Sequence, residues 1–159
     1  MNNGLLNTMA TRRQKMVFNE TVIRTIYQAK VNLFEIIKNN HKYLLNCFTQ
    51  VIEQCEDAKK TVEPKYLNYI QNLKNQWILL REEYIDAMSF EYQRLLRYWN
   101  PWNVDLSIER TNEQFVEHMF SEKHFQTPWR DQIWFYPKLL EIQSSVIRQF
   151  PNEAYKKNG

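Results

Sequence analysis

The sequence predicts an all-α protein: a long antiparallel helical hairpin, coiled-coil-like in its packing, with a Trp- and Pro-rich set of shorter helices packed on it. Three observations carry this. No glycine stands between Leu5 and Asn158, so the residue that moves freely into positive φ is missing from the tight turns a sheet would need. Apolar residues recur at helical spacing over two segments of about 40 residues each. The prolines fall where helices are expected to begin or end.

Residues 1–19 read as a flexible basic arm. Arg12, Arg13 and Lys15 precede the first acid, Glu20, and from there onward 18 basic residues balance 18 acidic ones, so the whole +3 excess lies in the arm. A duplex-binding domain usually carries its basic excess on the folded body. Nucleic acid is therefore expected to meet this chain, if at all, through the arm. The plain reading is a solvated or partner-docked tail. The basic run Thr11-Arg12-Arg13-Gln14-Lys15 also fits a contact to phosphates, a nuclear address, or a short mitochondrial presequence with Leu5, Leu6, Met9, Met16, Val17 and Phe18 as its apolar side.

The hairpin is expected over residues 20–99. Ile23, Ile26, Leu33 and Ile37 form one row, and Leu44, Phe48, Val51, Cys55, Ala58 and Val62 continue it in a 4-3-4-3-4 rhythm, the pattern of a packing seam. The phase slips by about one residue across Lys38-Asn39-Asn40-His41-Lys42, which fits a local irregularity in one continuous helix better than a turn. Pro64 marks the start of a second long helix, because its fixed φ suits the first helical turn. Tyr66, Ile70, Leu73, Trp77, Leu80 and Tyr84, then Met88, Tyr92, Leu95 and Trp99, carry its seam until Asn100-Pro101 stops it.

Residues 100–159 change character, with four of the five prolines and three of the five tryptophans. Thr111-Asn112-Glu113-Gln114 matches a capping box, opening a helix whose apolar face is Phe115, Val116, Met119 and Phe120. Thr127-Pro128 is expected to start a short helix. Pro137 or Lys138 is expected to start a last one, carrying Leu139, Leu140, Ile142, Val146, Ile147 and Phe150 up to Pro151. Helices of about 10 to 18 residues cover only about half of a hairpin some 50 Å long. The uncovered seam is expected to meet a second copy or other subunits.

Other constellations exclude more than they assign. The Gly-rich phosphate loops, the dinucleotide fingerprint and the nucleophile elbow all need glycines this chain lacks. Cys47 and Cys55 sit eight residues apart on one helix, too far along its axis to bridge, so they read as structural thiols of a reducing compartment. Acids at Glu53, Glu56 and Asp57 would raise a thiol pKa rather than lower it. His118 with Glu122 and His124 is the one grouping like a metal site, but it lacks the Glu-His spacing of di-iron bundles and any HExxH, so no metal or cofactor is expected and the histidines read as solvated. No apolar run approaches the roughly 20 residues of a membrane span, and the start lacks a secretory core. An intracellular protein is expected, in cytoplasm or nucleus, with the mitochondrion as a further location.

Two sets of residues read as partner-binding. Trp99, Trp102, Trp129 and Trp134 suit core packing or hot spots of a protein interface; base stacking beside Arg97 or Arg130 is the weaker use. Asp105, Glu109, Glu113 and Glu117 recur every four residues as an acidic stripe whose plain reading is a solvated face and whose sharper one is a dock for a Lys/Arg-rich partner. The functional expectation is a non-enzymatic interaction protein or structural subunit. The alternative is a nuclear, chromatin-associated protein that uses Arg12, Arg13 and Lys15 on nucleic acid while its helices recruit partners.

Overall fold

A computed structural model describes residues 2–100, 103–121 and 134–151, with side chains from Glu20 onward. It is all-helical, and no strand occurs among the described residues. Helix α1 spans Asn2–Lys59 and, after a 3-10 turn at Pro64–Tyr66, α2 spans Leu67–Tyr98. The shorter α3 spans Asn112–Met119 and α4 spans Phe135–Arg148.

Helix α1 is unbroken through Asn39-Asn40. The slip in its apolar row is two successive steps of four, Leu33 to Ile37 to His41, after which Leu44 and Phe48 restore the rhythm. A helix absorbs such a stutter as a slight change of twist. The backbone of α1 includes positions 2–19, the segment that reads in sequence as an arm, whose side chains lie outside those described. It closes where the amides of Lys60, Thr61 and Val62 turn back onto the carbonyls of Asp57 and Ala58. Glu63 is extended ahead of Pro64, as the residue before proline should be.

Contacts fix the direction of each helix. His41 meets Tyr84, Phe48 meets Trp77, and Lys59 donates to Gln71, so α1 and α2 run antiparallel as a long helix pair. Helix α4 lies along both. Tyr136, Gln143 and Phe150 meet Phe34, Ile37 and Phe48 of α1 in turn, while Phe135, Gln143 and Phe150 meet Tyr92, Tyr84 and Trp77 of α2. The core therefore sits over the middle of α1 and the C-terminal half of α2, with Ile37, Leu44, Phe48, Tyr84, Met88 and Leu139 fully buried.

Short-range chemistry seats the remaining pieces. Trp99 is extended, and Asn100 brackets Val104, donating to its carbonyl at 2.6 Å and accepting from its amide at 2.9 Å. Asn103 takes the left-handed conformation, φ 53°, which asparagine tolerates. The capping box at Thr111 is formed in both directions: its hydroxyl accepts from the Gln114 amide, and the Gln114 side chain accepts from the Thr111 amide. Asn112 then donates to Asp86 and Glu113 pairs with Arg81, which pins α3 to α2. Helix α4 starts at Phe135, two residues before Pro137, which still falls in the first turn where its missing N–H breaks no bond.

Candidate functional site

One polar cluster lies inside the bundle, and it corrects the reading of His41 as a solvated side chain. His41 is buried, its ring stacked on Phe120 at 4.6 Å, and its Nδ1 lies 2.6 Å from the Tyr84 hydroxyl. Gln143 donates to the Ile37 carbonyl at 2.9 Å and to the Tyr84 oxygen at 3.4 Å, and accepts from Asn40 at 3.2 Å. Because Gln143 supplies a proton to the Tyr84 oxygen, Tyr84 donates its own to His41, which is then the Nε2–H tautomer. Burial without an acidic neighbour pushes the His41 pKa down to about 4, and burial pushes Tyr84 up. At neutral pH this is a satisfied, uncharged network that ties α1, α2 and α4 together.

Outside that cluster, buried Glu91 lies on the core-facing row of α2 with Arg94 3.7 Å from its Oε2. Cys55 is buried and Cys47 half-buried, both as free thiols. Burial is the main cause that pushes the Cys55 thiol up, with Glu56 a smaller one. Among the described residues no three His, Cys, Asp or Glu side chains converge as metal ligands would. His118 is half-buried beside Tyr92, 6.3 Å between rings, while Glu122 and His124 lie outside the described residues.

The unusual geometry is at one end of the bundle. Tyr27 stands as far before His41 on α1 as Tyr98 stands after Tyr84 on α2, so α2 ends opposite Tyr27. Helix α4 starts beside Phe34, which meets Tyr136. The stretch Asn2–Ile26 thus extends about 37 Å past the end of α2. Ile23 and Ile26 belong to the row that buries Ile37 and Leu44 completely, yet they are 46% and 47% exposed. Tyr98, at the end of α2, is 80% exposed. Phe90, Gln93, Arg94, Arg97 and Tyr98 line a groove of ≈ 430 Å³ on the adjoining face of α2.

The residues singled out in the sequence fall in different places. Trp99 is half-buried against the core, and Trp134 is at the start of α4 with the Arg94 guanidinium 4.6 Å above its ring. Trp102 and Trp129 lie outside the described residues. Glu109, Glu113 and Glu117 do not form one helical stripe with Asp105. The Thr111 cap starts the helix after Glu109, leaving Asp105 and Glu109 in the preceding loop. Asp105 accepts from the amide and hydroxyl of Ser107, Glu113 is 3.1 Å from Arg81, and Glu109 and Glu117 are exposed. Arg12, Arg13 and Lys15 stand on the backbone of α1, their side chains outside the described set.

No family model, no curated protein and no solved structure matches the chain. Among the described residues, no helix is long and apolar enough to cross a membrane.

Proposed function

We propose that the chain is a non-enzymatic interaction protein or structural subunit. In this reading it is a helical hairpin with a coiled-coil-like seam, a Trp- and Pro-rich C-terminal region packed against it, and one end open to a partner. The observation that supports it is the outrun of α1: the same 4-3 row that buries Ile37, Leu44 and Phe48 continues to Ile26 and Ile23 past the point where α2 and α4 stop. An apolar helix row in water is a partner surface. The buried polar groups add to the reading, since His41, Tyr84 and Gln143 are held inside the bundle by one another and present no nucleophile with an orienting base to solvent.

The test is a tagged purification from the source cell, divided into nuclease-treated and untreated halves. Stoichiometric protein partners that survive nuclease are the expected result. Partners lost with nuclease would overturn the reading and favour nucleic acid held by Arg12, Arg13 and Lys15. An isolated chain with no partner of any kind, itself included, would also overturn it.

A further inference from the structure

The open end of α1 is basic as well as apolar. Residues 2–26 contain four basic side chains and one acidic one, Glu20. In the sequence the 4-3 spacing of Ile26 and Ile23 continues upstream through Met16, Met9 and Leu5, and the backbone of that stretch is helical. Arg24 is exposed and makes no ion pair among the described residues.

Elsewhere on the same chain is a surface of opposite charge. Residues 103–121 contain four acids against one basic residue, Arg110. Leu106 and Ile108, in the loop beside Asp105 and Glu109, are 42% and 51% exposed, so this surface is also apolar. Glu109 and Glu117 make no ion pair among the described residues. Helix α3 is tied to Arg81, Asp86 and Ser89 of α2, some 14 to 26 Å short of the Tyr98 end by helical rise. The open end of α1 points the other way, so one copy cannot lay its own α1 end on its own acidic surface.

We propose that the open end of α1 docks on the acidic loop and α3 of a second copy of this chain, and that the contact is made reciprocally in a two-fold dimer. It rests on the reading of the chain as an interaction subunit and names the partner. A reciprocal arrangement closes, where a one-way contact would propagate into a filament. Opposite charge sets the register and like charge rejects the parallel pairing of two α1 ends, which would oppose basic stretches.

Sedimentation equilibrium of the full chain over a hundredfold concentration range gives the test. A dimer is expected. Arg24→Glu, or Glu109→Arg with Glu117→Arg, should each weaken it about tenfold or more, while combining the reversals on both surfaces should restore most of the loss. Ile23→Asp with Ile26→Asp should leave a helical monomer with unchanged thermal unfolding. A dimer indifferent to both reversals, or reversals that do not rescue one another, would overturn the inference. A monomer at every concentration that still retains stoichiometric partners after nuclease would overturn the dimer and leave the subunit reading standing; a monomer with no partners would overturn both.

Discussion

Replacing His41 and Tyr84 together, as His41→Leu with Tyr84→Phe, should flatten the acid side of the stability profile. In the folded chain the His41 pKa lies at about 4, against 6.5 for the unfolded chain, because its ring is buried with no carboxylate beside it. The folded state therefore holds the neutral ring, and between those two values the unfolded chain binds the extra proton. Stability contributed this way is whole above about pH 6.5 and falls as the pH drops toward 4. By linkage the loss is about 2 kcal/mol at pH 5 and about 3 kcal/mol at pH 4. Urea unfolding at pH 7, 5 and 4 measures it. The natural chain should lose about that much more between pH 7 and pH 4 than the double variant, in which neither the titrating ring nor its hydroxyl partner remains. Equal losses in the two proteins would show that His41 is hydrated in the folded state and would refute the buried network.

Three further outcomes follow from packing and capping. Phe48 is fully buried between Trp77, Tyr84 and Phe150, so Phe48→Ala should cost about 3–5 kcal/mol, whereas exposed Phe90→Ala should change unfolding by no more than about 0.5 kcal/mol. Thr111→Ala removes the cap of α3 and should cost about 1 kcal/mol by chemical denaturation. A double-mutant cycle on Arg81 and Glu113, both substantially exposed, should give under about 1 kcal/mol and vanish in molar salt.

Much of the fold is legible in the sequence because spacing and punctuation agree. The rows of α1 and α2, the proline at the start of the 3-10 turn and the Thr111 box each report a local rule that packing does not override. The buried polar residues are hidden in the sequence because their polarity suggests solvent while their position suggests core. His41 follows Ile37 by four and precedes Leu44 by three, Gln143 follows Leu139 by four and precedes Val146 by three, and Glu91 follows Met88 by three and precedes Leu95 by four. All three are buried. A polar residue that completes a 4-3 row is a core residue with a partner to be found, and that signal was present in the sequence. The acidic residues mislead in the other direction: a four-residue spacing from Asp105 to Glu117 suggests one helix face, but the Thr111 cap within it starts the helix after Glu109. The exposed end of the α1 row is legible in the sequence only as an excess of seam over cover. Its location needed the register of α1 against α2.

The central claim is that the row at Ile23 and Ile26 is covered by another molecule rather than by its own chain. Hydrogen exchange of the full chain, read residue by residue at high dilution and again in the associated state, tests it most directly. The account predicts fast exchange upstream of Tyr27 in the dilute chain and slow exchange from Phe34 to Phe48. Association should then slow residues 20–26 and leave the core unchanged. Protection of residues 20–26 that is already complete in the dilute chain, or that never rises on association, would contradict it.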